Sequence, residues 1–498
     1  MSKNVAIIGA GPAGLAAAKA ADEAGLTPVV FERESTIGGV WSSTGAAWNG
    51  LITNVSRYTC AFSDHPWDDA VGDFPTRNEM LHYLHSYVDD FGIDRRIRFD
   101  SEVTALEPFN GHWNLTCRNK LTGKEDKTCF DAAIVASGFF SRKVIPELVP
   151  GVEPFRGAIL HAREYRDPEG FRGKRVLVAG AAFSGVEIAA ELAEARVDVT
   201  VAMPKPMWIL PRYVSNGCGK SAIPLDLVFY TRSSSSPTTP ELTEHEKHRV
   251  ANRYFDALGG NPGGIDPSLR IDPESTQVPY VVISDSFVRL ARAGAIRIVR
   301  ERVSSLAGNR ATMSGGHAIP ADAVIWCTGY TPALSYFPDE VLGRLKFVGS
   351  DTLQPLLLHQ CTFPVGLENL AFSGLYRGPY FGIMELQARW ACAVFSGDCR
   401  PPSPAEIERG IDEELRIRNM VPRPQFPHGD YVTLADSIAR ELGVMPDLNP
   451  KNDHYNTLWN GPLIPAHYRL RGAFSKPELA REQIQKVMSR IQNPLRPG

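Results

Sequence analysis

Val5-Ala6-Ile7-Ile8-Gly9-Ala10-Gly11-Pro12-Ala13-Gly14 decides how this chain is read. A short apolar run bounded by glycine has the length and composition of a buried strand. It passes straight into G-x-G-x-x-G and then into an alanine-rich helix that Gly25 ends. The three glycines do different things. Gly9 allows a tight turn, Gly11 lets the backbone approach a pyrophosphate, and Gly14 lets the helix pack close to the sheet. The next strand, Pro28-Val29-Val30-Phe31, closes on Glu32, which lies 23 residues beyond Gly9. A carboxylate there accepts both ribose hydroxyls of an adenine dinucleotide. Gly38-Gly39-Val40-Trp41 follows, where paired glycines let a loop run against a flat ring or simply make a turn.

The same grammar returns about 170 residues later. Arg175-Val176-Leu177-Val178-Ala179 reads as a strand, Gly180-Ala181-Ala182-Phe183-Ser184-Gly185 as the turn, 186–195 as the helix and 198–202 as the next strand. Two such units predict an α/β protein with two Rossmann-like dinucleotide-binding domains. The second unit departs from the pattern, because Ala182 replaces the middle glycine and Met203 stands where an acid would be. Without that acid, nothing repels a 2′-phosphate. Lys205 and Arg212 are the nearby cations that would receive it, or else they are solvated surface. This pattern favours NADPH over NADH.

Composition sets the outer bounds. The chain has 498 residues, 43% hydrophobic and 22% charged, with a net charge of −3. At about 150 residues per domain, that length suggests about three units. Its 43 glycines and 38 prolines stay below the roughly 25–30% that marks low complexity. No basic block suits nucleic acid. No apolar run reaches the roughly 18 residues of a spanning helix. The first residues enter a strand at once rather than forming a signal peptide, and 491–498 is polar and proline-broken, unlike a tail anchor. Eight cysteines, with no C-x-x-C, suit neither a zinc ribbon nor a dithiol pair, and they point to a reducing cytoplasm.

Between the two units, 99–130 reads as a β-meander and 132–138 as a return strand and turn. Residues 213–280 read as an insertion in the second domain, with Ser233-Ser234-Ser235-Ser236-Pro237-Thr238-Thr239-Pro240 flexible by composition. The tail after Phe395 is mostly helical with proline breaks. His82 and His85 form H-x-x-H without a third ligand, so a solvated surface pair is expected and no metal site.

Phe155-Arg156-Gly157-Ala158-Ile159-Leu160-His161-Ala162-Arg163-Glu164-Tyr165 is F-x-G-x-x-x-H-x-x-x-Y. It resembles the identifying motif of the flavin-containing monooxygenases, the class B flavoprotein monooxygenases. Leu51-Ile52-Thr53-Asn54 with Phe62-Ser63-Asp64-His65-Pro66 is similar to that family's active-site segment. Cys327-Thr328-Gly329-Tyr330 resembles its hinge strand and Glu385-Leu386-Gln387-Ala388-Arg389-Trp390 its flavin-side helix. Gly461-Pro462 with Tyr468-Arg469-Leu470 resembles its C-terminal segment. Ala182, Cys327 and Pro204 depart from the commoner glycine, alanine and arginine, and the hydrophobic tail of the membrane-bound animal members is absent.

The resemblance implies FAD on the first unit and NADPH on the second. The second domain, 166–330, would be inserted between 1–165 and 331–498 of the first. It implies oxygen transfer from a C4a-hydroperoxyflavin to a soft nitrogen or sulfur of a small molecule, with O2 as co-substrate. Asn54 would hold the oxygenated flavin and the nicotinamide. The implied cofactor contacts are Gly9, Gly11, Pro12, Ala13, Gly14, Glu32, Gly39, Val40, Trp41, Thr53, Val103, Ser137, Gly138, Gly180, Ser184, Gly185, Lys205, Arg212, Gly329, Tyr330 and Gln387. Trp41, Trp390 and Tyr330 either line the cleft or pack in the core, and His161 is read as a structural hydrogen bonder. A homodimer and a cytoplasmic location are further expectations. A Baeyer–Villiger oxygenase shares both units, but its linker motif usually ends in Trp where Tyr165 stands. Arg57 keeps that alternative open. A dithiol reductase would need a cysteine pair beside the flavin. A non-oxygenating flavoprotein, whether an NADPH oxidase or a redox-sensing binder, is the reading from a different class.

Overall fold

The computed structural model describes residues 2–151, 153–215, 222–235, 242–378 and 380–492. Cys218, 236–240 of the serine-rich stretch and 493–498 of the terminus lie outside the described residues.

Two parallel five-stranded sheets carry the architecture. The first has the order Leu370–Phe372, Ala132–Val135, Asn4–Ile8, Thr27–Phe31, Ile97–Arg98. The second has the order Ile296–Val299, Asp198–Ala202, Arg175–Ala179, Ala323–Trp326, Ala158–His161. In each, the strand before the glycine loop is central, the next strand in sequence pairs on one side of it, and a strand from much later in the chain pairs on the other. The strand order therefore reverses beside each loop, at the position where open α/β sheets bind ligands. The central strands are buried on both faces, which is why Val5–Ile8 and Val176–Ala179 read as apolar runs without alternation.

The helix Pro12–Glu23 packs its alanines against the helix Phe381–Ser396. The expected meander is present as Ser101–Phe109, His112–Asn119 and Glu125–Phe130, and it covers the other face of the first sheet with Leu106, Trp113, Leu115 and Phe130. The second loop's helix spans Phe183–Glu194.

Two features differ from the sequence reading. The motif reading puts the linker in the first segment, 1–165, yet its strand Ala158–His161 pairs with Ala323–Trp326 of the second sheet. The chain crosses earlier, at Arg142–Lys143, which pairs antiparallel with the returning strand Tyr330–Thr331. The insertion at 213–280 is also not an appendage of the second domain alone. Its Val214, Ile223, Leu225 and Leu227 share a core with Leu458, Ile464, Ala480, Ile484 and Val487 of the C-terminal tail. That tail is helical over Pro404–Arg418, Tyr431–Glu441, Tyr455–Asn460 and Pro477–Gln492. No described helix is long and apolar enough to cross a membrane.

Candidate active site

The two glycine loops are near copies. Gly9 has φ +104° and Gly180 φ +107°, a region that favours glycine. A Cβ on Gly9 would lie 2.7 Å from the carbonyl oxygen of Ala136, and one on Gly180 2.6 Å from that of Cys327. The third glycines are tighter still, since a Cβ on Gly14 or Gly185 would sit 1.8 or 1.9 Å from the carbonyl oxygen of Gly9 or Gly180. Ala182 has φ −71°, open to any residue, so the missing middle glycine does not distort the second loop. Gly39 comes against Gly11, whose Cβ would lie 3.6 Å from the Gly39 Cα.

Both loops open onto one cavity of about 1160 Å³, beyond the roughly 300–1,000 Å³ of a pocket for one small ligand. It is lined by Gly9, Gly11, Pro12, Ala13, Glu32, Gly39, Val40, Trp41, Thr53, Asn54, Val103, Ser137, Gly138, Gly180, Ser184, Lys205, Gly329 and Tyr330. Gly14, Gly185, Arg212 and Gln387 are not on its wall. The two glycines serve the packing just described. Gln387 differs from its expected flavin contact: it is fully buried, accepts from Gly374 N at 2.9 Å and donates to the Cys361 carbonyl at 2.7 Å. With both ends of its amide used on backbone, it shapes the loop in front of the helix.

Glu32 accepts from the backbone N–H of Ala10 at 2.7 Å and of Glu34 at 2.9 Å. Burial raises its pKa, against the pull of those two donors. It is thereby held at the end of its strand, where a ribose would meet it. At the matching end of the second unit are Met203, Pro204 and Lys205, with Arg302 also on the wall. Arg302 escapes sequence reasoning because it follows the neighbouring strand, Ile296–Val299, far along the chain.

Arg212 is a correction. As a cation near Met203 in sequence it is expected either to receive a 2′-phosphate or to be solvated surface, but it is buried and committed to protein partners. It donates to Glu187 at 2.5 Å, Asp285 at 3.0 Å, the Thr53 carbonyl at 3.0 Å and Asn54 Oδ1 at 3.1 Å. Burial opposes its charge, and Glu187 and Asp285 more than offset that, so its pKa lies above the ordinary arginine value. Asn54 thus has its carbonyl oxygen occupied, and its NH2 group is the end left to act as a donor on the cavity wall. Arg57 is off the wall and turned toward the Asp68 carbonyl and the Tyr58 ring.

The linker motif is structural in this geometry. Tyr165 donates its hydroxyl to Glu191 at 3.0 Å and packs on Trp48. The buried His161 meets the Gly329 carbonyl at 3.1 Å and lies edge-on to Tyr330, and burial lowers its pKa. Trp390 is in the core, whereas Trp41 and Tyr330 are on the wall. His82 and His85 are exposed, and the described residues hold no group of three or more metal-ligating side chains. The seven described cysteines are unpaired. Sequence reasoning also misses a wall of aromatics, Tyr230, Tyr376, Tyr380 and Tyr431, because they come from separate segments outside both glycine motifs.

This pair of dinucleotide cradles facing one chamber defines a two-dinucleotide flavoprotein. The chain belongs to the Flavin-binding monooxygenase-like family, whose pattern it matches over residues 2–497. It is 31% identical to flavin-containing monooxygenase 5 of Oryctolagus cuniculus, across 99% of this chain and 93% of that one. It is 31% identical to dimethylaniline monooxygenase (N-oxide-forming) 2 of Mus musculus, across 100% and 94%. Among solved structures, S-allyl-L-cysteine S-oxygenase from Allium sativum superposes with a TM-score of 0.63 at 20% identity, covering 98% of this chain and 99% of that one. A cyclohexanone monooxygenase mutant from Rhodococcus sp. Phi1 gives 0.62 at 19% identity, covering 88% and 97%. The protein is a flavin monooxygenase with FAD and NADPH as cofactors, acting with O2 on a small molecule.

Proposed function

We propose that this monooxygenase inserts one oxygen atom into a soft nitrogen or sulfur centre of a small molecule and prefers NADPH to NADH. The observation that carries the reading is Asn54, whose amide oxygen is occupied by Arg212 while its NH2 is left as a hydrogen-bond donor in the chamber. A neutral donor of this kind supports a neutral, electrophilic oxidant, which needs an electron-rich partner.

The cradles fit the cofactors: the first loop and Glu32 would hold FAD, and the second loop with Ser184, Lys205 and Arg302 would hold NADPH. Once reduced by the nicotinamide, the bound flavin supplies the activation of O2. The chain's own part is positional. Thr53 and Asn54 are held from the second domain by Arg212, so the donor keeps its orientation when both cofactors are bound. The apolar and aromatic wall excludes water from the reacting centre. The relatives' names, an N-oxide-forming enzyme and an S-oxygenase, accord with this reading.

A second reading, ketone oxygenation of the Baeyer–Villiger type, draws on Arg377, a cation on the same wall without a salt-bridge partner among the described residues. Product mass spectrometry on an NADPH-driven panel of tertiary amines, thioethers and cyclic ketones tests both. N-oxides and sulfoxides are expected; lactones formed at matching rates would replace this reading with the second.

A further inference from the structure

Three tyrosines close one side of the chamber. Tyr230 comes from the insertion, Tyr380 precedes the helix Phe381–Ser396, and Tyr431 begins the helix Tyr431–Glu441. Their ring centroids are 5.8 Å apart for Tyr230 and Tyr380, 5.0 Å for Tyr230 and Tyr431, and 4.9 Å for Tyr380 and Tyr431. The Tyr230 and Tyr380 hydroxyls lie 2.8 Å apart, which ties two rings together. None of the three belongs to a glycine loop or to the strand ends that cradle the dinucleotides.

Asp226 shares this wall and is 5% exposed. Its Oδ2 accepts from Ser56 N at 3.0 Å, Ser56 Oγ at 2.7 Å and Thr59 Oγ1 at 2.6 Å. Its Oδ1 is buried with no partner among the described residues, and the Tyr431 hydroxyl is left the same way. No described cation pairs with Asp226. Burial raises its pKa, against the pull of the Thr59 and Ser56 hydrogen bonds. The nearby Arg212 is neutralised by Glu187 and Asp285, and Arg377, which has no salt-bridge partner among the described residues, is turned to the Gln425 carbonyl, to which it donates at 2.8 Å.

Aromatic faces attract a diffuse organic cation, and the attraction grows when the site is dry. A buried carboxylate behind them adds to the pull and repels an anion. A neutral thioether would gain nothing from that charge. We propose that Tyr230, Tyr380 and Tyr431, backed by Asp226, form a subsite for an alkylammonium group of the substrate. This rests on the oxygenase reading of the chamber and narrows its substrates to molecules that carry such a cation. The subsite recognises the cation and takes no part in oxygen transfer.

The test uses the FAD- and NADP+-loaded protein, with calorimetric titration of choline and of its neutral carbon isostere, 3,3-dimethylbutan-1-ol. Choline should bind at least about tenfold more tightly. Asp226→Asn keeps an acceptor for Ser56 and Thr59 but removes the charge. It should reduce the preference to about threefold or less, with flavin content and melting temperature retained. Should that variant fold poorly, Tyr230→Leu carries the test, because loss of one ring should weaken choline and leave the alcohol within about twofold. Equal binding of the two probes by the parent protein overturns the subsite, and so does a full choline preference in the folded Asp226→Asn variant. Sulfoxidation without any choline preference would overturn the subsite and leave the oxygenase reading standing. Choline preference without oxygen transfer to any panel member would do the reverse.

Discussion

Asn54 and Arg212 act as one unit, and each residue's share is measurable. Asn54→Ala should leave FAD content and flavin reduction nearly intact and divert electrons to hydrogen peroxide, read as lower product per NADPH consumed. Full coupling in that variant would remove Asn54 from the site. Arg212→Gln leaves Glu187 and Asp285 without their cation. Breaking a buried pair costs about 3–5 kcal/mol, and the half-exposed Asp285 places this one at the lower end, about 3 kcal/mol. Urea unfolding should show that loss, and peroxide release should rise because Asn54 is no longer oriented. A selective rise in the Michaelis constant for NADPH with coupling unchanged would return Arg212 to the phosphate. In the proposed reading that role falls to Lys205 with Arg302, so Lys205→Ala should raise the constant for NADPH more than for NADH. Counting along the chain from Gly180 brings both cations to the right neighbourhood. It carries no information about Glu187 and Asp285, which claim one of them through space.

At the level of elements, the glycine-loop units are the most legible part of the chain, because their constraint is local. A strand, a turn of positive φ and a helix packed onto the turn's own carbonyl all fall within a few residues. Gln387 shows the opposite case. Its motif places it on the helix Phe381–Ser396, but the direction of its amide depends on Gly374 and Cys361, which no helical spacing reveals. The two third glycines allow a paired test. Gly14→Ala puts a methyl 1.8 Å from the Gly9 carbonyl oxygen, and Gly185→Ala puts one 1.9 Å from that of Gly180. Neither helix can stay where it is. Gly14→Ala should yield protein depleted of flavin. Gly185→Ala should stay yellow and lose NADPH-driven reduction while dithionite still bleaches it. Loss of flavin in both would mean that the two units do not fold independently.

Across the whole molecule, the parts that sequence leaves undetermined are those built from distant segments. The insertion shares a core with the tail, and the strand Ala158–His161 joins a sheet whose centre follows it in the chain. A buried charge network does the same job at longer range. Asp64 lies 2.8 Å from Lys19 of the first helix, 3.3 Å from Arg469 and 2.8 Å from Lys476 of the tail, and Arg469 reaches Glu385 at 2.6 Å. Glu385 in turn accepts from Ser63 N at 2.7 Å. Four stretches of chain thus meet at the end of the segment that begins with Asn54. Burial works against the charge on Asp64, and Arg469 and Lys19 outweigh it, so its pKa lies below the usual aspartate value. For a depressed carboxyl, the stabilisation is fully present above the unfolded value of about 4 and is lost as pH falls through the lower folded value. Asp64→Asn should therefore cost about 3–5 kcal/mol at neutral pH, because it leaves Lys19 and Arg469 short of an anion. Urea unfolding from pH 7 down to about 3 should show the gap between parent and variant narrowing below about pH 4. A gap that stays constant across that range would mean that Asp64 holds the active-site segment by shape alone, and that the ion network contributes nothing to joining the four stretches.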